Sequence, residues 1–323
     1  MWSRYFFALT DTRLGSALLG ALATAGLGTA LTVVSTEVFG NYGYALFVAT
    51  PFALGFFSAV FHGLTRPRDQ GEAIAVGTTS VLLASVALMA FALEGVICIV
   101  MALPITVALG VIGALCGHLA VVRFDRGASV HALAIVALVP LLMGAETLGD
   151  APPPLRSVTT EIVVDAPATV VWRNIVAVEP LPEPRELVFR LGIAYPTRAT
   201  IDGAGVGAVR RCTFSTGDFV EPITVWEPGR RLAFAVRSQP APMRELSPWA
   251  AVEPPHLDGF LRSERGAFEL VPLRGGRTLV RGTSWYRNRM WPQAYWGFWA
   301  DELMRRIHLR VLRHVQASAE ADV

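Results

Sequence analysis

Ala151-Pro152-Pro153-Pro154 divides the chain into two kinds of sequence, and the division decides the fold class. Before it stand long apolar runs such as Val96-Ile97-Cys98-Ile99-Val100-Met101-Ala102-Leu103, broken by few charges. After it, charged and apolar residues alternate as they do in a water-soluble domain. Over all 323 residues the hydrophobic fraction is 53% and the charged fraction 17%. That is too apolar for one soluble domain and leans toward the membrane class. The boundaries follow: residues 1–150 as a transmembrane helical region, 151–156 as a short Pro-rich linker, and 157–323 as an α+β domain.

A membrane-spanning helix needs about 20 mostly apolar residues. Five stretches meet this, approximately Leu14–Val34, Tyr44–Phe61, Ala73–Leu93, Val96–Val122 and Val130–Leu148. The run from Ala73 to Val122 is too long for one span, and Glu94-Gly95 is the natural break. Pro51, Pro104 and Pro140 fall inside spans, where neighbouring helices or water can satisfy the freed carbonyls and a kink is expected. Gly20, Ala23, Gly26 and Gly28 in the first span, and Gly113 and Gly117 in the fourth, supply small residues where helices approach closely. The first span also contains Ala-x-Ala sites of the kind a signal peptidase cuts, but its apolar character continues well past them.

Arginine placement orients the spans. The N-terminal segment carries Arg4 and Arg13, the link after the second span Arg66 and Arg68, and the link after the fourth Arg123 and Arg126. The other two links carry none. Cytoplasmic segments attract basic residues, so the N-terminus is expected inside and the domain after the fifth span outside. Phe39, Tyr42 and Tyr44 suit an aromatic belt at the outer interface. Glu94, His118 and Glu146 all sit near span ends and read as boundary residues, so no ion path through the membrane is indicated. The expected location is a bacterial cytoplasmic membrane, with the bilayer as partner.

The second half opens with alternation: Val158, Thr160, Ile162 and Val164 share one face of a strand. Asp165-Ala166-Pro167 then starts a helical run through Ile175, as proline in a first turn does. A short helix is expected around Glu186–Gly192. Strands follow at Ala208–Phe214, Phe219–Trp226 and Leu232–Ser238; Pro222 implies an edge or a bulge in the second of these. Ala267–Pro272 and Thr278–Trp285 form a hairpin across Gly275-Gly276. A long helix over about Pro292–Ala319 closes the chain, with the apolar stripe Trp296, Ala300, Leu303, Ile307, Val311 and Val315.

This order resembles the helix-grip fold of the START-like superfamily, the polyketide cyclase/dehydrase and lipid-transport group (SRPBCC). The stretches that carry it are Thr160-Glu161-Ile162-Val163-Val164-Asp165-Ala166-Pro167 with Val171-Trp172, then Gly203-Ala204-Gly205-Val206-Gly207-Ala208-Val209-Arg210. Glu227-Pro228-Gly229-Arg230-Arg231-Leu232-Ala233-Phe234 and the terminal helix complete it. The resemblance covers the last half of the chain. It implies a curved antiparallel sheet around the long helix, with an apolar cavity for lipids, sterols or polyketides. The Pro-rich segment Pro240–Asp258 departs from the plain pattern and reads as a lid or rim.

Other chemistries find little support. The net charge is +2, and all 28 basic residues are arginine, a bias expected of a GC-rich genome. No basic patch interleaves with aromatics, which argues against nucleic acid. Cys98, Cys116 and Cys212 form no zinc pattern and no disulfide within the soluble half. Gly203-x-Gly205-x-Gly207 precedes a strand, not a helix, so it reads as a strand-entry turn and not as a dinucleotide loop. Glu253, His256 and Asp258 are held on extended Pro-rich chain and read as a structural loop. His308 and His314 are six apart on the last helix and read as core or surface residues.

Glu221 shares strand parity with Phe219, Ile223 and Val225, which puts a carboxylate on an apolar face, where it meets a ligand or an arginine such as Arg237. The candidate ligand-binding residues are Glu221, Ile223, Phe234, His256, Arg262, Tyr286, Trp296 and Trp299; no catalytic residue, metal ligand or cofactor is assigned. The expected function is membrane-anchored binding, transfer or presentation of a lipid or other hydrophobic small molecule. Two alternatives stand beside it. One is a cyclase or aromatase using Glu221 with His256 or Tyr286 as an acid–base pair. The other is a structural or sensory membrane protein with a side-chain-filled core. About eight residues at about 3 Å each separate the fifth span from the first strand, so the domain is expected close to the outer leaflet, within reach of membrane-derived ligands.

Overall fold

The computed structural model describes residues 11–66, 68–124, 128–149, 152–249 and 252–323. Arg4, Arg126 and Ala151, on which part of the orientation and boundary reading rests, lie outside them. The chain forms two compact units. One comprises the residues up to 151 with the short stretches Glu245–Pro255 and Met290–Pro292, and the other comprises the remainder.

In the helical unit, helix α1 (Arg13–Val33) begins at Thr12, whose hydroxyl accepts the Gly15 N–H at 3.0 Å, a standard way to satisfy a free helix N-terminus. It runs on through one π-helical turn, Val34–Val38. A second π turn, Ala45–Ala49, leads into α2 (Thr50–Gly63). Pro51 explains that turn: a proline ring disrupts normal α-helical bonding to the preceding turn, and the Thr50 N–H instead reaches back to the Ala45 carbonyl. Asp69 caps α3 (Gln70–Ala90) by accepting the Glu72 N–H at 2.8 Å. Helices α4 (Val96–Phe124) and α5 (Ala128–Glu146) follow.

Four stretches among the described residues are long and apolar enough to cross a membrane: Arg13–Val38, Ala45–Gly63, Gln70–Ala90 and Val96–Arg123. The fifth helix counts 19 residues. The break between α3 and α4 falls where expected, in a turn with Ala92 at φ 56°.

Small residues set the helix spacing. A Cβ at Gly113 would collide with the Phe52 carbonyl, and one at Gly117 would lie 2.5 Å from the Phe56 carbonyl. The Gly113/Gly117 face therefore packs against α2 of the same chain. Gly28 lies against Leu54, whereas Gly26 is exposed.

Two boundary readings change. Glu94 is buried, not at the surface, and accepts the Tyr42 hydroxyl at 3.1 Å. Tyr42 is 2% exposed and so is an internal residue; of the expected aromatic belt only Tyr44 is exposed.

The second unit is a seven-stranded antiparallel sheet and a long terminal helix. The strands are β1 (Leu155–Val164), β2 (Pro196–Asp202), β3 (Val209–Phe214), β4 (Gly217–Glu227), β5 (Arg231–Ala235), β6 (Leu261–Pro272) and β7 (Thr278–Asn288). Their order is β1-β7-β6-β5-β4-β3-β2. Short helices α6 (Ala168–Val176) and α7 (Leu187–Arg190) fill the connection from β1 to β2, and α8 (Gln293–Ala321) ends the fold. This is a helix-grip arrangement.

Val164, Val171, Ile175, Leu232, Val280, Leu312 and Val315 form the core between sheet and helices. Each such side chain contributes roughly 1.5–3 kcal/mol by leaving water. Pro222 lies in a non-edge strand, but the pairing of β4 with β5 begins only at Ile223 opposite Phe234, so no N–H is required of Pro222 there; a register shift follows between Ile223 and Val225. Gly203, Gly205 and Gly207 all have positive φ in the connection from β2 to β3, as a strand-entry turn requires.

Candidate functional site

A cavity lies in this unit between the sheet and α8. About 150 Å³ of it is open to the centre of a water-sized sphere, some tenfold what one water needs. Two periodicities build its walls. In β3 the alternate residues Arg210, Cys212 and Phe214 line it, and in β4 Phe219 and Glu221 do. From α8 come Ala300, Leu303, Met304, Ile307, His308 and Val311, spaced by three, one, three, one and three, which is a single helix face. Strands β5 and β6 add Phe234 and Phe268.

The rim is Gln239–Met243. Gln239 fixes it to β6, donating to the Leu261 carbonyl at 2.6 Å and accepting the Ser263 N–H at 2.7 Å. The Ala194 N–H binds the Pro242 carbonyl at 3.0 Å, and the Arg244 N–H binds the Gly192 carbonyl at 2.8 Å. Only the start of the expected lid segment thus rims the cavity, while Glu245–Pro255 groups with the helical unit.

Inside an otherwise apolar wall sits an ion pair. Arg210 and Glu221 are directly opposite across β3 and β4, 3% and 5% exposed, and an Arg210 Nη1–H donates to Glu221 Oε2. The sequence pointed to Arg237 as the arginine; the β3–β4 register supplies Arg210 instead. The guanidinium also lies 4.9 Å from the Phe234 ring centre and 5.8 Å from that of Phe268, within cation–π range. Gly266 makes this possible: Phe234 lies opposite it, and a Cβ there would stand 2.5 Å from the Phe234 ring. Burial pushes the Glu221 carboxyl upward, and Arg210 pulls it back. Burial opposes the Arg210 charge, yet Glu221 holds that guanidinium above its ordinary value. An arginine does not give up its proton in a protein, and neutralising Glu221 would strand a bare cation in the wall. We therefore take the pair as ionised at neutral pH.

Cys212 is a further side-chain hydrogen-bond partner of the guanidinium. Arg210 Nε itself is buried and has no hydrogen-bond partner among the described residues. The rest of the polar lining is quieter. Burial raises the Cys212 thiol to about 11, with Arg210 opposing, so it stays protonated and is no nucleophile. His308 is lowered to about 4, by burial first and then by Arg305. Its Nε2 is 2.8 Å from Ser284 Oγ and its Nδ1 3.2 Å from Thr160 Oγ1, so the neutral ring bridges β7 and β1.

Of the residues singled out from sequence, Glu221 and Phe234 line the cavity. Ile223, His256, Arg262, Tyr286, Trp296 and Trp299 are not among its lining residues. Ile223 is 2% exposed in the core, and Arg262 is exposed, paired across β6 and β7 with Arg287. His256 is buried in the short 3-10 turn Pro255–Leu257, and Trp296 is buried and Trp299 half-buried on α8. Tyr286 is fully buried; its hydroxyl donates to Asp301 at 2.5 Å and accepts from Arg156 at 3.1 Å. Burial and the Asp301 bond raise it, with Arg156 opposing. The acid–base pair that a cyclase would draw from Glu221 with His256 or Tyr286 is thus not assembled at this cavity.

Sequence reasoning missed Arg210 and the place of His308 at the cavity, while the rim falls at the start of the segment read as a lid or rim. For Arg210 the signal was present, because it shares parity with Cys212 and Phe214 just as Glu221 does with Phe219. For His308 it was also present: it lies one residue from Ile307 on the same helix face.

No family model matches the chain, and no curated protein matches it. Solved structures do. A structural-genomics protein from Nitrosospira multiformis is 19% identical, covering 52% of this chain and 98% of its own, with a TM-score of 0.33. A norcoclaurine synthase from Thalictrum, solved with a transition-state analogue, is 10% identical over 54% of this chain and 99% of its own, TM-score 0.34. The XoxI protein of Bacillus cereus is 14% identical over 52% and 98%, TM-score 0.34. Likeness at this level assigns no activity.

Proposed function

We propose that the protein is a membrane-anchored receptor or carrier for a small hydrophobic molecule, held in the cavity between the sheet and α8. The observation that carries the reading is the cavity itself, walled by Phe214, Phe219, Phe234 and Phe268 on the sheet and by Leu303 and Ile307 on the helix. A folded domain normally fills such a volume with side chains, and apolar walls with a few convergent polar groups are the usual make-up of a ligand site. The size bounds the guest. An apolar void of about 150 Å³ takes a molecule such as benzene, so one ring or one short chain segment is buried, not a whole two-chain phospholipid.

In this reading five helices cross the membrane, the four apolar stretches and α5, with the arginine-bearing N-terminal end on the cytoplasmic side. The binding domain then stands on the extracytoplasmic side of a bacterial inner membrane, next to a reservoir of apolar molecules. The test is native mass spectrometry of the detergent-solubilised full chain, with extraction of what leaves with it. Wild type is expected to release one reproducible class of small apolar compound. Leu303→Trp, which puts an indole into the cavity from a half-buried position, is expected to release none. Equal recovery from both proteins would refute the assignment of the cavity. Ile223→Asp is unsuited to this test, because Ile223 is core and its loss unfolds the domain.

A further inference from the structure

We infer that the ligand of this cavity is a single-tailed amphiphile that enters tail-first; this rests on the binding reading above. The layer of Arg210, Glu221, Phe234 and Phe268 is the floor that sets the length of its tail. On strands β4 to β7 and on α8 the lining stops at one level. On β4 it includes Glu221, and the next residue on that face, Ile223, is core. On β5 Phe234 lines the cavity and Leu232 is core; on β6 the same step runs from Phe268 to Leu270, and on β7 from Gly282 to Val280. On α8 Val311 lines it, and Val315, one turn later, is core. Arg210, directly opposite Glu221, completes the floor.

The polar groups at the floor are turned to one another. Arg210 bonds Glu221 and Cys212 and packs against the Phe234 and Phe268 rings. Its side chain is 4% exposed and that of Glu221 7%, so the floor meets a guest mainly as apolar surface. His308 is likewise joined to Ser284. At the other end Gln239 and Ser263, both lining residues, are joined at the rim, where residues 239–242 are half-buried and reach water. A polar head carried inside would give up its hydrogen bonds to water, which costs free energy; at the rim it keeps them. Only an apolar tail gains by reaching the floor. An apolar void of about 150 Å³ holds a molecule of about six carbons, so the tail is of about that length.

The test uses the full chain in lipid nanodiscs, with empty discs correcting for partition into lipid. The probes are straight-chain primary alcohols of four to ten carbons ending in a trifluoromethyl group, and the glucosides of the same alcohols. Titrations are read by fluorine NMR against the free aqueous concentration. In wild type, affinity is expected to rise about fourfold per methylene up to a break near six carbons, and to rise no further beyond it. A glucoside is expected to bind within about threefold of the alcohol with the same tail, because its head stays outside. Arg210→Ala/Glu221→Ala lowers the floor, and the break is expected to move at least one carbon longer. Gly282→Ala raises it, since a Cβ there stands 3.8 Å from the Phe268 ring and 3.7 Å from Leu312, ordinary contact distances; the break is expected to move about one carbon shorter.

An unbroken rise to ten carbons in wild type would overturn the floor while leaving the binding reading intact. So would a break that stays in place in both variants. Gly282→Ala needs no neighbouring atom to move, so it decides the point even if the double substitution fails to fold. Loss of glucoside binding with the alcohols still bound would overturn tail-first entry. If no alcohol binds wild type more than it binds Leu303→Trp, the binding reading itself fails.

Discussion

Acid should weaken the second unit through His308, and the size of the effect can be worked out. The imidazole bridges Thr160 on β1 and Ser284 on β7 from its place on α8, so it ties the helix to two strands. Both partners are hydroxyls, which bond a neutral ring well but do nothing to offset a positive one. Burial, then Arg305, lowers its folded value to about 4, against 6.5 for an unperturbed histidine. A group whose folded value is depressed binds fewer protons in the folded state across that window. Its contribution is therefore complete above pH 6.5 and is lost as the pH falls toward 4. At about 1.4 kcal/mol per pH unit, the interval amounts to roughly 3.5 kcal/mol, of which roughly 2.6 is gone by pH 4.5. That corresponds to an opening equilibrium shifted by about a hundredfold.

The assay is hydrogen exchange with mass spectrometry on the full chain, following peptides from β1, β7 and α8 at pH 7.0 and 4.5 after correction for intrinsic rates. His308→Gln keeps a donor and an acceptor at the site but does not titrate there. Wild type is expected to lose protection in these peptides by about a hundredfold more than the variant does on acidification. Glu221 and the other carboxylates are present in both proteins and cancel in the comparison. Equal acid sensitivity of the two would refute the reasoning, because the proton uptake would then belong to another group.

Further predictions rest on separate features. Arg210→Ala should cost about 3–5 kcal/mol by leaving a bare carboxylate in the wall, while Arg210→Met/Glu221→Leu should come within about 1–2 kcal/mol of wild type; denaturant titration of the solubilised chain separates the two. Gly266→Val should push Phe234 off β6 and into the cavity, lowering affinity for any bound apolar probe in fluorine NMR by tenfold or more, since a Cβ there stands 2.5 Å from the ring. Leu232→Ala, at a fully buried position, should destabilise by about 2–5 kcal/mol, read as a lower melting temperature. Gly113→Leu should force α4 away from α2, and gel filtration in detergent should show loss of the monodisperse species.

Local signals carried much of the fold. Helices α1 to α5 all end within a few residues of the apolar runs read from sequence, because hydrophobic length and composition are properties of the segment alone. The β6–β7 hairpin was equally local: Gly275 and Gly276 both adopt positive φ, which few other residues accept. Strand β2 escaped notice because Pro196-Thr197-Arg198-Ala199-Thr200-Ile201-Asp202 has no strong apolar alternation; it is held by pairing with β3, and pairing is not written in the segment itself. His256, Arg262, Tyr286, Trp296 and Trp299 were chosen for residue type, and type does not say which wall a side chain joins; Ile223 shares the parity of Glu221 but falls in the core, next to the register shift in β4. Glu221 was chosen for parity on a strand, and parity gives the face of the sheet but not the place along the strand where the cavity lies.

The sequence by itself determined that this chain has an apolar helical half and an antiparallel sheet with a long amphipathic helix. Those facts follow from periods of 3.6 and 2 and from the solvent each half requires. Only the tertiary structure decided that Arg210 and not Arg237 faces Glu221, that His308 bridges two strands, and that a cavity remains where the helix face meets the sheet. Each of these depends on register or on the residual space between packed elements. Both are set by the sum of weak contacts across the whole unit, and no short stretch of sequence encodes them.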